Sequence, residues 1–365
     1  MAVDLKALFE SVRTVSEAAV AFADEDRCRA ILEAMVWPSG PVCPDCGSLH
    51  SYTLADRAIG GTVRAGLRQC AERDCRFQFT ATTRTPLHST KLPIGKWLMA
   101  MWMILHSDKG ISSPRLAEAI GVSQPTAWRL GHAIRVLTAS VQRLSGTVEF
   151  DVMMVGGAPR KDPSNPEARK GKQGHTTKTP VAVAVERPNS RDPMDNEPEP
   201  KAMAIPIPDQ TAAALSAALD GMTNKDAHVM SDSAAGIAVA ASGHIAHDTV
   251  NHGATEFVRG TVHANSAEGY NDRVRRTVVG VFHHISSVHA PRYLDEVSWR
   301  WRQRIHAGKS PRKTRKGRVV LRDIWERVPP IEQMGKLLRG ALGREMRRTK
   351  NGSVDVLVIQ PVFGI

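Results

Sequence analysis

Two short cysteine pairs, Cys43-Pro-Asp-Cys46 and Cys70-Ala-Glu-Arg-Asp-Cys75, stand 23 residues apart and restrict this chain more than any other feature. A CxxC pair presents two thiolates to one ion from a tight turn. Two pairs at the ends of hairpins make a tetrahedral S4 site, the closed geometry of structural zinc. The metal would hold together a segment too short to build its own core. The second pair is C-x4-C, and His50 and His88 are the substitute ligands should one cysteine fail. The competing reading is four free structural cysteines. The fifth, Cys28, lies apart in a helical stretch and reads as a buried, inert thiol. An odd count in 365 residues argues against a disulfide framework and for a reducing compartment.

Charge points to a partner. Lys and Arg number 49 against 37 Asp and Glu, a formal net charge of +12. Such an excess suits a polyanion, because cations on the protein displace counterions from phosphates. The alternative is a basic protein with no nucleic-acid role. No apolar run reaches the ~18 residues of a membrane span. The start of the chain, MAVDLKALFESVRTVSEAAVAF, reads as an amphipathic helix and lacks the pattern of a secretory signal. Composition therefore places the chain in the cytoplasm, associated with the nucleoid, with no membrane partner.

Periodicity divides the chain into an N-terminal helical segment (1–36), a ribbon (37–90), a helical region (91–145), a strand-rich domain (146–305) and a basic arm with a C-terminal segment (306–365). Runs at 148–155, 181–186, 202–207 and 227–232 read as strands, and 211–222 as the helix between the last two. Residues 159–178 and 188–200 read as surface loops. Residues 300–322 carry ten Lys or Arg and read as a poorly packed arm. The closing SVDVLVIQPVFGI is a terminal strand or a tail.

Two patterns carry chemistry. In ISSPRLAEAIGVSQPTAWRLGHAIRVL (111–137) a short helix, a Gly121-Val122 turn and a Ser123 cap precede a second helix. This is a helix-turn-helix layout, with Gln124, Thr126 and Arg129 facing outward for DNA; a plain helical hairpin has the same pattern. The second is a set of three acids. Asp151 lies in the first strand and Asp232 closes the fourth, with 80 residues between them. Glu268 follows Asp232 after 35 more, in a run with helical spacing. Singly, each acid could cap a helix or sit on a solvated face. Together, in β-β-β-α-β-…-α order, they suit hard divalent ions such as Mg²⁺ or Mn²⁺. Two such ions can activate a water or a 3′-hydroxyl for in-line phosphoryl displacement. That order is the ribonuclease H-like one, so the expected fold is α/β with a mixed sheet, preceded by the zinc ribbon and the helix-turn-helix segment.

These residues carry a resemblance. The run from about Pro38 to Arg304 resembles the zinc-ribbon, ISXO2-like class of insertion-sequence DDE transposases. CPDCG with CRFQFTATTRTPLHSTKLPIGKW (75–97) is similar to the family's ribbon and lead-in helix. FDVMMVGG (150–157), VMSDSAAG (229–236) and the segment 250–302 are similar to its three acid motifs. The resemblance implies Asp151, Asp232 and Glu268 as the metal-binding triad, with Asn265 as a substitute third ligand. It also implies DNA as partner, both terminal inverted repeats and target, and a homo-oligomer that pairs the two ends. Val152 stands where relatives carry an acid, and Arg302 where an Asn is common.

Arg273, Arg275 and Arg276 lie on the same helical run as Glu268 and could bind phosphates. His252, His263, His283, His284 and His289 read as supporting groups near the acids, and Trp299 and Trp301 as packing residues. The expected reaction is cleavage at the element's ends and transfer of the 3′-hydroxyl to target DNA. A DNA-binding regulator, a catalytically degenerate copy, and a nuclease that cuts without joining remain as alternatives. A tyrosine recombinase, using Tyr270 or Tyr293, fits the strand-rich middle poorly.

Overall fold

The computed structural model describes residues 3–54, 65–140, 142–156, 178–187, 201–314, 317–348 and 354–358. The loops expected at 159–178 and 188–200 lie outside these residues, Lys178 excepted. The chain separates into two compact units. The first comprises residues 1–138 with 329–365, and the second 139–328.

The first unit opens with α1 (Leu5–Ser11), α2 (Val15–Ala21) and α3 (Glu25–Val36). Each has a side-chain cap where the sequence supplies one: Asp4 for α1, a Thr14–Glu17 capping box for α2, and Asp24 for α3. These caps satisfy the first free amides of helices otherwise too short to persist. Next comes a three-stranded antiparallel sheet of β1 (Ser51–Thr53), β2 (Arg68–Cys70) and β3 (Gln78–Phe79). α4 (Ile94–His106) follows, with Leu98, Met101, Trp102 and Leu105 almost fully buried. Cys28 is fully buried beside the start of α4, and burial pushes its thiol up to about 11.

The helix-turn-helix layout is present. α5 (Ser113–Ile120) ends on Gly121, whose φ of +62° is the left-handed conformation a helix C-cap favours. α6 (Gln124–Thr138) then begins after Ser123, whose hydroxyl accepts from the Thr126 amide at 3.4 Å. The second helix continues to Thr138, because Val136 and Leu137 extend its buried face.

The C-terminal segment differs from a loose arm and tail. α11 (Pro330–Arg339) buries Ile331, Met334, Leu337 and Leu338, one helical stripe, against α3 and α4. β11 (Arg344–Arg348) pairs antiparallel with β12 (Val354–Val358), so the terminal VDVLV is a strand.

The second unit is built on a five-stranded mixed sheet. Its strands are β4 (Thr147–Val155), β5 (Thr179–Glu186), β6 (Lys201–Pro206), β7 (His228–Asp232) and β8 (Ala246–Val250), in the order β6-β5-β4-β7-β8. β4, β5 and β6 pair antiparallel, while β4–β7 and β7–β8 pair parallel. The fifth strand, AHDTV, was not legible in the sequence because it is an edge strand with one buried residue, Val250.

Helices cover both faces. α7 (Ala212–Met222) and α8 (Ala235–Ala241) pack with Val148, Phe150, Ala182 and Ala184. α9 (Asn265–Thr277) and α10 (Ala290–Arg302) pack with Met153, Val155, Val181, Val183 and Val185 on the opposite face. The two-residue strand period sets this division, and it sends Glu149 and Asp151 to the α9 side. Residues 300–322, read as a poorly packed arm, instead finish α10 and enter an antiparallel ribbon of β9 (Arg304–Lys313) and β10 (Val319–Arg327). The Val319-Val320-Leu321 run and Ile324 supply strand character that charge counting alone overlooks. Among the described residues no helix is long and apolar enough to cross a membrane.

Candidate functional site

The four cysteines converge. The Sγ atoms of Cys43 and Cys75 lie 3.7 Å apart and those of Cys46 and Cys70 3.5 Å apart; all four lie within 4.8 Å of one another. A disulfide needs about 2.05 Å, whereas a tetrahedron with 2.3 Å zinc–sulfur bonds has edges of about 3.8 Å. Local structure explains the convergence. The Cys43–Gly47 turn closes through Gly47 N–H to the Cys43 carbonyl at 2.8 Å, with Gly47 at φ +76°. Cys70 ends β2, and Cys75 sits in a turn where its amide bonds the Glu72 carbonyl. Arg84 ties the first turn down, donating to the Pro44 carbonyl and to Asp45 at 2.6 Å each. His50 lies 3.5 Å from Glu72 and His88 3.7 Å from Glu345, and the ion-ready group consists of the cysteines without them. The wider C-x4-C spacing is absorbed by this turn, so four sulfurs suffice for structural zinc.

The three acids gather at one end of the central strands. Phe150 pairs with Ser231 across the parallel β4–β7 ladder, so Asp151 and Asp232 follow on adjacent strands. Asp232 is half-buried at the end of β7, where its Oδ1 accepts from the Ala234 amide at 3.2 Å. Glu268 is exposed on the first turn of α9. Burial raises the Asp151 pKa above its ordinary value, and the carboxylates of Asp232 and Glu268 raise it further; the Val152 amide and Arg275 oppose this. The charges of Asp232 and Glu268 thus both reach Asp151. Their oxygens are not drawn as tightly together as the sulfurs are. Asn265 is exposed at the start of α9.

Two residues that sequence reasoning missed tie α9 to β4. Asn271 is buried and donates to Asp151 Oδ2 at 2.6 Å, while its own Oδ1 has no partner. Glu149 is fully buried two residues before Asp151. One of its oxygens accepts from the amides of Ser266 (2.6 Å) and Ala267 (3.0 Å) at the N-terminus of α9. The other accepts from Arg187 Nε at 2.5 Å. Arg187 also donates to the carbonyls of Thr261 and His263 and to His263 Nδ1. Burial, then the Arg187 guanidinium, push the His263 pKa down, which favours a neutral ring accepting from Arg187. A carboxylate at a helix N-terminus meets free amides and the positive end of the helix dipole. The available signal was a charged residue of the same strand parity as Asp151 in an otherwise apolar run. Its partners lie 38 to 118 residues away and were not legible.

The remaining predicted residues divide. Arg275 is exposed, pairs with Asp272 at 3.3 Å and acts on Asp151; Arg276 also reaches Asp272, at 3.6 Å. Arg273 is half-buried; burial lowers the pKa of Arg304 to about 10, and the charge of Arg273 adds to that shift. On α6, Gln124 and Arg129 are exposed and Thr126 is half-exposed, with Gln124 bonded to Ser113 at 2.8 Å. His263 is a partner of the Glu149–Arg187 pair, and His283 and His284 are exposed. The side chain of His252 lies outside the described ones. Trp301 packs edge-on against Tyr270, whose hydroxyl shares a buried hydrogen bond with Ser298.

Three outcomes follow. Metal analysis of the purified chain should find about one zinc per chain, falling below half in Cys46→Ser; equal zinc in both would reject the four-sulfur site. Glu149→Gln removes the counter-charge of a mostly buried guanidinium and should cost about 3 kcal/mol in urea unfolding; a change under about 0.5 kcal/mol, the usual range of surface substitutions, would contradict the anchor. Asp151→Asn should raise the melting temperature of metal-free protein at pH 7. A raised folded-state pKa means the ionised form costs stability above that pKa. The gain should therefore vanish as pH falls below the unfolded carboxylate's value of about 3.9. A loss of stability at pH 7 would show that the hydrogen bond from Asn271 outweighs the repulsion.

The chain is similar to known proteins over both units. Residues 23–78 match the transposase zinc-ribbon domain and residues 143–302 match the ISXO2-like transposase domain. A relative in Halobacterium salinarum, described as an uncharacterized protein in transposable element ISH50, is 26% identical over 267 residues, 70% of this chain and 83% of the relative. With both matched domains in order along the sequence, the ribbon's four sulfurs in place and the mixed sheet within the second match, the chain belongs to the zinc-ribbon, ISXO2-like insertion-sequence transposases.

Proposed function

We propose that this transposase cuts DNA at the ends of its element and joins the freed 3′-hydroxyl to target DNA, using Asp151, Asp232 and Glu268 to hold Mg²⁺ or Mn²⁺. The single observation that carries the reading is that the carboxylates of Asp232 and Glu268 both bear on a half-buried Asp151 at the end of the central strands. Like charges gathered in a partly buried site cost stability, and such arrangements concentrate where function requires them. The sheet order and the helices on both faces agree with a ribonuclease H-like domain.

The donor set fits a hard divalent cation. It is all oxygen, it is anionic, and it includes the partnerless buried Oδ1 of Asn271 beside Asp151. When bound, such ions supply Lewis-acid activation of the attacking oxygen and stabilise the leaving one. The chain's own residues do the rest. Asn271 fixes the rotamer of Asp151, Glu149 fixes the first turn of α9 and with it Glu268, and the Ala234 amide orients Asp232. Val152, in place of an acid, leaves this set intact because it is the neighbour of Asp151 and points to the opposite face. Arg275 and Arg276, with Arg273 on the same helix, would receive phosphates beside the acids. Gln124, Thr126 and Arg129 on α6 would meet DNA bases or backbone. Pairing of two element ends calls for at least two copies. A chain acting on DNA this way would work at the nucleoid.

A nuclease without joining activity shares every feature of the site, so the test must read both steps. Purified protein is incubated with a duplex carrying the sequence that flanks its gene on each side, with Mg²⁺ or Mn²⁺, beside Asp232→Ala. The expected result is nicking and joined products for the native chain, with DNA binding retained and both products lost, by at least about 10³-fold, in the variant. Nicking with no joined product would favour the nuclease. Binding by both proteins with no cutting under either metal would favour a regulator or a degenerate copy.

A further inference from the structure

The β9–β10 ribbon begins two residues after the matched transposase domain ends at residue 302, and nothing in that match assigns it a role. It has a firm base and a solvated body. At the base, the Arg304 guanidinium lies 3.7 Å from the Trp301 ring and 5.4 Å from that of Trp325, and the Val328 amide bonds the Gln303 carbonyl. His306 stacks edge-on with Trp325 and bonds Asp323 at 3.0 Å. Beyond this base the described residues leave both faces largely open. Val319 and Leu321 are 64% and 68% exposed.

Charge is segregated along the ribbon. Its acids, Asp323 and Glu326, lie in the basal half, where Asp323 faces His306 and Lys309. The distal stretch Ser310–Arg322 contains Arg312, Lys313, Arg315, Lys316, Arg318 and Arg322 and no acid. Among the described residues, Arg312, Lys313, Arg318 and Arg322 are exposed and no carboxylate pairs with them. Register puts cations on both faces: Arg312 opposite Val320 and Arg322 opposite Ser310 on one, Lys313 opposite Val319 on the other.

An isolated two-stranded hairpin is marginal in water, so a ribbon held out from a clamped base calls for a partner along its length. A second copy of the chain fits poorly. Strand addition at the β9 edge would meet Pro311, which has no amide to donate, and like charge on both strands. Duplex DNA fits in charge and in size. A two-stranded ribbon about 30 Å long and about 10 Å thick with its side chains enters a major groove about 12 Å wide. We propose that the β9–β10 ribbon is a separate duplex-DNA docking element. It lies in the major groove with its distal cations on the flanking phosphates and Val319 and Leu321 against sugars or thymine methyls. The inference rests on the transposase reading for its choice of DNA as ligand.

The test uses the full chain and a 30-base-pair duplex of arbitrary sequence, followed by fluorescence anisotropy across roughly 50–200 mM salt. In R312A/K313A/R318A/R322A the slope of log affinity against log salt should flatten by roughly 3 units, since each lost phosphate contact removes about 0.9. Affinity at the lowest salt should fall at least tenfold. Leu321→Asp should weaken binding several-fold through lost apolar contact. Both variants should keep the wild-type melting temperature, because every altered side chain is exposed. Wild-type slope and affinity in the quadruple variant would overturn the inference while leaving the transposase reading intact. A fall in molar mass by light scattering with unchanged slope would also overturn it and assign the ribbon to contact between copies. Failure of the wild-type chain to bind duplex at any salt would overturn both.

Discussion

The buried carboxylate of Glu149 is the constraint from which the geometry of the candidate catalytic site follows. A carboxylate taken out of water is strongly unfavourable unless its oxygens are fully paired. Here Arg187 takes one oxygen and two main-chain amides of α9 take the other. The pairing is thus between a strand and the start of a helix, and it leaves that helix little freedom to slide or turn. Glu268 sits one residue beyond the second of those amides. Asn271, three residues further, makes the second tie between α9 and β4 by reaching Asp151 itself. Two contacts one helical turn apart fix both the position and the rotation of α9.

That anchorage matters because the acids oppose it. Burial makes the charge on Asp151 costly, and the carboxylates of Asp232 and Glu268 add to that cost. A site of this kind would relax by swinging α9 outward if the helix were held by apolar contacts alone. Tyr270 and Val274 do bury the inner face of α9 in a cluster with α10 and β5, but apolar contact is non-directional and tolerates small slides. The charged pairing is directional, and it sets the register. The first unit solves a different problem. Its cysteine-bearing segment has few buried side chains of its own, and four sulfurs at tetrahedral spacing stand in for a core.

The zinc ribbon, the helix-turn-helix and four of the five core strands could be read from the chain because each is a local signal. Cysteine spacing, a Gly turn before a Ser cap, and alternation over six to nine residues depend only on neighbours in sequence. The ribbon at 304–327 was misread for an equally local reason. Its density of Lys and Arg resembles a loose arm, and the short Val319-Val320-Leu321 run with Ile324 was given less weight. The edge strand at 246–250 escaped because an edge strand buries too little to write a pattern.

By itself, then, the sequence singled out the candidates for chemistry, the four cysteines and the three acids, and the family whose motifs they resemble. Only the tertiary structure decided what holds them. Glu149 and Asn271 look like ordinary polar residues until strands and helices more than a hundred positions apart are brought together. The structure likewise returned α11 to the first unit, since the amphipathic stripe says that a face is buried but not against what. The physical reason is the same in each case. Ligand chemistry belongs to a residue type and its spacing, whereas the satisfaction of a buried charge belongs to partners that only the completed fold supplies.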